Sequence, residues 1–208
     1  MSSRLHVINH PVSTRALTQL RDKDASLSQF RDACASVVPC CIYEATKNLE
    51  LQDKKIETPL CEMVGKEMKN EVVVVPILRA GISMLAPTLQ ILPFAKVGYF
   101  GMARDEETAK PSTYYQKLPN IEGAHVLLLD PMLATGGSAA YSIEQILKFK
   151  PKTLCLCCIL AAPEGCKLLN EKFPDVDIYT TALDSNLNEK KYIVPGLGDF
   201  GDRYHGTV

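Results

Sequence analysis

Long stretches of this chain carry apolar residues without interruption, and others space them with polar residues between. Val72–Leu78 is a continuous run of mostly β-branched residues, the pattern of a strand buried on both faces. Val126–Asp130 and Thr153–Leu160 also read as strands, and weaker strand patterns cover Ala95–Gly101 and Val176–Thr181. Helical spacing predicts helices over 12–22, 26–50, 58–69, about Gly81–Ile91, Ser138–Phe149 and Glu164–Phe173. Ser26 is a plausible N-cap for the second. Pro39 is expected to kink or interrupt that helix, and Pro87 to disturb the fourth. Strands alternating with helices predict an α/β fold, a parallel sheet covered by helices on both faces. Ligands in such folds bind beyond the carboxyl ends of the strands, where Arg79 and Asp130 both fall. Residues 102–120 are polar and longer than an ordinary connection, the mark of a functional or interfacial segment. The tail, 184–208, is rich in glycine and polar residues and does not continue the alternation. It is expected to form a cap together with the N-terminal helices.

Composition narrows the picture mainly by exclusion. With 208 residues, 46% hydrophobic and 23% charged, the chain is expected to form one domain with an ample core. A net charge of −1 and no dense Lys/Arg run give no field to recruit nucleic acid. No apolar run approaches a membrane span, and Met1–His6 has no apolar core of a signal peptide. The expected location is cytoplasmic. Eight cysteines show no ligand spacing except the formal C-x-x-C of Cys155–Cys158. On a strand those two thiols point to opposite faces, so buried reduced thiols are the better reading. His6 and His10 are four apart, but Pro11 biases His10 away from helical geometry, so a metal pair is not expected.

The chemistry concentrates in residues 125–141. A strand ends on Asp130, a short loop follows, then Thr135-Gly136-Gly137-Ser138, then a helical pattern. Glycines let backbone N–H groups approach a phosphate, and the helix N-terminus adds its positive dipole end. A carboxylate leaving the strand beside that cradle can accept hydrogen bonds from sugar hydroxyls. The glycine pair alone is also what a plain strand-to-helix turn looks like; with Asp130, Thr135 and Ser138 it favours a phosphorylated ribose. No G-x-x-x-x-G-K-[ST] or G-x-S-x-G string occurs, and the turn between the Val126–Asp130 strand and its helix carries no G-x-G-x-x-G, which sets aside P-loop nucleotidases, serine hydrolases of that type and Rossmann dehydrogenases.

Asp130-Pro131-Met132-Leu133-Ala134-Thr135-Gly136-Gly137-Ser138 resembles the phosphoribosyl-pyrophosphate (PRPP) loop of the uracil phosphoribosyltransferase family. Most type I phosphoribosyltransferases carry two adjacent acids at this strand end, whereas the uracil branch has Asp-Pro. Tyr43-Glu44-Ala45-Thr46, Val75–Gly81, Glu106-Glu107-Thr108, Gln116–Pro119, Ala161–Gly165 and Tyr192–Asp199 resemble the family in the same order, across nearly the whole chain. The resemblance implies a type I phosphoribosyltransferase core, a hood from about 1–50 and 184–208, and a protruding arm near 102–120. It implies transfer of phosphoribose from PRPP to uracil, giving uridine monophosphate and pyrophosphate.

The loop would take the donor's 5′-phosphate. Arg79 and Arg104, each readable in isolation as a surface ion-pair residue, match arginines that contact pyrophosphate. Lys117 is left as a solvated or dimer-contact lysine. Gly196–Gly198, otherwise a flexible turn, would let backbone groups read uracil through Ile193, Gly198, Asp199 and Phe200. Asp199 would also lie near the donor and its Mg²⁺. The family implies Mg²⁺ as cofactor, homodimers or homotetramers, and in some members activation by guanosine triphosphate (GTP). The chain departs from the pattern at Ala103, where tyrosine is usual, at Phe200, where a small residue is usual, and in its ending Tyr204–Thr207. Phe200 is expected either to be silent or to alter tolerance of 5-substituted uracils. A purine or orotate enzyme of the same fold is disfavoured by Gly196–Asp199, and an RNA-binding regulator by the lack of a basic face.

Overall fold

The computed structural model describes residues 4–104 and 111–207. In chain order the elements are β1 (Leu5–Val7), α1 (Pro11–Arg21), α2 (Leu27–Thr46), β2 (Leu51–Glu57), β3 (Glu62–Met68), β4 (Val72–Leu78), α3 (Ile82–Ile91), β5 (Lys96–Val97), β6 (Tyr99–Arg104) and β7 (Pro111–Lys117). There follow β8 (His125–Leu129), β9 (Met132–Leu133), α4 (Gly137–Leu147), β10 (Thr153–Ala161), α5 (Pro163–Lys172), β11 (Asp177–Leu183), β12 (Asn186–Leu187), β13 (Ile193–Val194) and α6 (Phe200–His205). The main sheet runs β1-β11-β10-β8-β4-β6-β7, with β5 beside β4 and β9 beside β10. Its pairings are parallel except β6 with β7.

The uninterrupted apolar runs are explained by two cores, one on each face. Val72 and Val74 pack with Leu127, Leu129, Cys157 and Ile159 under α1, α2 and α3. Val73 and Val75 pack with Val126, Leu128, Leu156 and Cys158 under α4 and α5. Strand side chains alternate, so a strand serving both cores must be apolar at every position. Cys155 and Cys158 accordingly lie against opposite cores. Burial pushes the Cys34 thiol up to about 12 and the Cys166 thiol up to about 11, which keeps both protonated.

Local signals account for most boundaries. Ser26 accepts from the Gln29 amide while the Gln29 side chain accepts from Ser26, a reciprocal cap on α2. Pro39 does not interrupt α2. Phe30, Ala33, Cys34, Val37, Val38, Cys41 and Ile42 bury one face of it on both sides of the proline. At ~1.5–3 kcal/mol for each large side chain, that stripe outweighs the ~3 kcal/mol a mid-helix proline costs. His6 lies in β1, bonded to Asp177 Oδ1 at 2.9 Å, and His10 caps α1 by accepting from the Val12 amide. The two therefore do not share a helix face.

Three expectations are corrected. Residues 58–69 are not a helix: β2 and β3 form a two-stranded antiparallel sheet separate from the main one. The Thr58 hydroxyl accepts from the Leu60 and Cys61 amides and makes the turn, and that turn chemistry overrides the helix-favouring Glu, Lys and Met content. The helix expected over 26–50 ends at Thr46 for the same hairpin. Val176–Thr181 is not the last strand, because β12 and β13 pair within the tail and α6 follows. Much of the 102–120 segment is strand, with β7 returning antiparallel along β6. No helix among the described residues is long and apolar enough to cross a membrane.

The C-terminal segment is tied back onto the N-terminal helices. Arg203 donates to the carbonyls of Leu20 (2.6 Å), Asp22 (2.5 Å) and Leu197 (2.7 Å). Its guanidinium lies 4.4 Å from the centre of the Phe30 ring. Phe200 packs edge-on against Phe30 and stacks with Tyr204. Phe200 and Gly201 of this hood line one cleft with Ala80 and Asp130, beyond the carboxyl ends of β4 and β8.

Candidate active site

The site is built where β8 ends. The Asp130 amide donates to the Cys157 carbonyl, and the Pro131 carbonyl accepts from the Ile159 and Leu160 amides at 3.0 Å each. Proline fits at 131 because the position supplies only an acceptor. Met132 and Leu133 then pair with Leu160 and Ala161. The chain leaves the sheet at Ala134, turns through Gly136 at φ +79°, and enters α4. The Gly137 amide is 3.5 Å from the Thr135 hydroxyl. Behind the loop, Gly165 of α5 approaches so closely that a Cβ there would sit 2.5 Å from the Ala134 carbonyl oxygen.

A second turn descends beside it. A Cβ on Gly81 would lie 2.4 Å from the Leu129 carbonyl oxygen, so only glycine lets the β4–α3 turn settle on the end of β8. That contact sets Arg79 and Ala80 next to Asp130. The Leu78–Arg79 peptide is cis. Arg79 is mostly exposed, with Asp202 at 3.8 Å as an ion-pair partner, a separation that contributes little to stability.

The third wall is the hood. Gly196 and Gly198 hold φ of +64° and +83°, and a Cβ on Gly196 would collide with the Ile193 carbonyl oxygen at 2.0 Å. Asp199 caps α6 by accepting from the Asp202 amide at 2.9 Å. The loop is clamped by a pair the sequence reading missed. Arg21 donates to both Asp184 carboxylate oxygens (2.8 and 2.5 Å) and to the Gly196 carbonyl (2.9 Å), while Asp184 accepts from the Gly196 amide (2.8 Å). The Asp184 side chain is 5% exposed. Its one sequence signal was position: like Asp130, it is an acid directly after a parallel strand.

These walls enclose a cleft of about 360 Å³. Of the residues predicted from sequence, Asp130, Met132, Leu133, Ala134, Thr135, Gly136, Gly137, Ser138, Ile193, Gly198, Asp199 and Phe200 all line it. Pro131 does not; it is buried behind the loop with its carbonyl turned to β10. Arg79 lines an adjoining recess of about 210 Å³ that shares Ala80, Asp130 and Ser138 with the cleft. Arg104 ends β6, but its side chain, the side chain of Ala103, and residues 105–110 with Glu106-Glu107-Thr108 lie outside the described residues. Lys190, Lys191 and Tyr192 also line the cleft and were not predicted.

A strand-end acid, a glycine cradle and a backbone-lined hood loop thus share one cleft. Residues 7–207 match the family described as uracil phosphoribosyltransferase. This chain belongs to that family. The uracil phosphoribosyltransferase of Malacoplasma penetrans is 47% identical over 202 residues, covering 97% of this chain and 98% of its own. That of Agathobacter rectalis is 49% identical over 203 residues, covering 97% of each. A solved Aquifex aeolicus protein superposes with a TM-score of 0.92 at 40% identity, covering 97% of each chain. A Bacillus anthracis hypoxanthine-guanine phosphoribosyltransferase shares 17% identity over 76% of this chain and 80% of its own, with a TM-score of 0.53. The last likeness extends to the fold alone, the type I phosphoribosyltransferase architecture that the uracil family shares.

Asp130 and Asp199 line the same cleft, and among the described residues no group of three or more His, Cys, Asp or Glu side chains could hold a metal. That donor set fits a magnesium ion that keeps its waters and takes most other ligands from a substrate's phosphates.

Proposed function

We propose that this chain transfers the 5-phosphoribosyl group of PRPP to N1 of uracil, giving uridine monophosphate and pyrophosphate in pyrimidine salvage. The observation that carries the reading is the single cleft lined by both the Thr135–Ser138 cradle and the Ile193 and Gly198–Phe200 loop. In this reading the cradle amides and the α4 N-terminus bind the 5′-phosphate, and Asp130 accepts from the ribose hydroxyls. Arg79 and Arg104 spread the charge of the departing pyrophosphate by bidentate hydrogen bonds. Backbone groups of Ile193 and Gly198–Phe200 match the carbonyls and N–H of uracil.

The C1–O bond breaks with its electron pair going to pyrophosphate, and the uracil N1 lone pair closes on C1. Positive charge develops on the ribose between these events, and the N1 proton is lost. Asp199, on the base loop, favours that loss. The residues hold both reactants in line, stabilise the leaving group and keep water out of the cleft. No side-chain nucleophile takes part. Asp130 and Asp199 are the carboxylates that would help hold Mg²⁺, which when bound supplies Lewis-acid stabilisation of pyrophosphate.

The same proposal includes a cytoplasmic location, homodimers or homotetramers and activation by GTP, supported by the family resemblance. Sedimentation of the pure protein and turnover with and without GTP test the last two. Asp130→Asn tests the site. It should weaken PRPP binding at least tenfold and uracil binding by less than twofold, measured by calorimetry. A larger loss for uracil than for PRPP would remove Asp130 from the donor site.

A further inference from the structure

The cleft carries two cations on its hood side that the reading above does not use. Lys190 and Lys191 line it together with the cradle, and lie in the turn joining β12 to β13. That turn is closed by Asn188 N–H to Tyr192 O at 2.8 Å, Lys191 N–H to Asn188 O at 2.9 Å, and Tyr192 N–H to the Asn188 side-chain oxygen at 3.0 Å. It is also anchored to the phosphate-loop layer, because the Leu187 amide donates to Glu164 Oε1 at 2.9 Å. Glu164 precedes Gly165, the residue packed against Ala134 of the cradle. The turn and the cradle are therefore held by the same end of α5.

Lys191 adopts φ +66°, the left-handed region where a side chain is strained and glycine is favoured. A lysine kept in such a conformation at the rim of a cleft points to a use for its charge. Both lysines are exposed, and neither has an ion-pair partner among the described residues. Their ammonium groups end long flexible stems, suited to meeting a phosphate as point charges rather than as a planar fork.

We propose that Lys190 and Lys191 close over the 5′-phosphate of donor and nucleotide product, completing from the hood the anion site that the cradle begins. The 5′-phosphate is the favoured partner because the lysines line the same cleft as all of Thr135–Ser138, whereas Arg79 lines the adjoining recess, which reaches only Ser138 of the cradle. The inference rests on the assignment of that loop to the 5′-phosphate.

The test is binding of uridine monophosphate, uridine and pyrophosphate to the full chain and to Lys190→Ala, Lys191→Gly and the double variant, by calorimetry at several salt concentrations. Each substitution should weaken uridine monophosphate about two- to fivefold, the scale of a screened surface charge contact, and make binding less salt-dependent. Uridine and pyrophosphate should bind as before. Lys191→Gly should also raise the thermal midpoint by relieving the backbone, so stability and nucleotide affinity move in opposite directions. A raised midpoint with unchanged nucleotide affinity overturns the proposal, as does an equal loss for pyrophosphate. A wild-type protein that binds pyrophosphate but not uridine monophosphate overturns the underlying assignment of the cleft instead.

Discussion

Asp184 and Phe200 show how single residues shape this cleft, the first from outside it and the second from within its wall. The Asp184 carboxylate is nearly enclosed and holds both Arg21 and the backbone of Gly196. Removing one member of a buried pair leaves the other charge uncompensated, at about 3–5 kcal/mol. Asp184→Ala should therefore lose about that much in urea unfolding and raise the uracil KM more than the PRPP KM. A stable variant with normal kinetics would show the clamp to be idle. Phe200 is 2% exposed, packs between Phe30 and Tyr204 and lines the cleft. Phe200→Ala should cost about 3–5 kcal/mol and shift the ratio of 5-substituted uracils to uracil as the wall relaxes. An unchanged substrate ratio in the folded variant would make the side chain silent toward the base.

Elements were legible from sequence where burial or a cap dictates them. The β4 and β10 runs and the Ser26 cap of α2 could be read directly, and the Thr135–Ser138 cradle with its following helix needed only strand, glycines and helix in order. Elements stabilised by partners distant in sequence were not. β1 is a strand of three residues paired with β11, and nothing within Leu5–Val7 specifies that pairing. β2 and β3 are almost wholly exposed, so no burial pattern marked them, and the Thr58 turn was passed over. The Arg21–Asp184 clamp joins residues 163 apart, and an arginine ending a helix reads locally as a favourable dipole partner. Packing between elements also makes a prediction. Gly165→Ala gains helix propensity of about 1 kcal/mol but drives a methyl into the Ala134 carbonyl. The cradle must shift, so the PRPP KM should rise on the order of ten- to a hundredfold while uracil binding changes little. Unaltered PRPP kinetics would mean the loop is not held from behind.

At the scale of the molecule, a two-faced core supports two loops at the carboxyl ends of its strands, and a hood tied down by Arg21 and Arg203 adds the third wall. The fold alone does not choose the base, since the Bacillus anthracis hypoxanthine-guanine enzyme shares it. In the proposed reading the choice lies in the hood loop, where Gly196 is held by Asp184 and Arg21, and Leu197 by Arg203. The most direct test follows pyrophosphate release by the purified chain from PRPP and Mg²⁺ with uracil, cytosine, orotate, hypoxanthine and guanine in turn. Uracil should support turnover, with uridine monophosphate as product, at a kcat/KM at least a hundredfold above any other base. Comparable turnover with a purine or orotate, or none with uracil, would contradict the account.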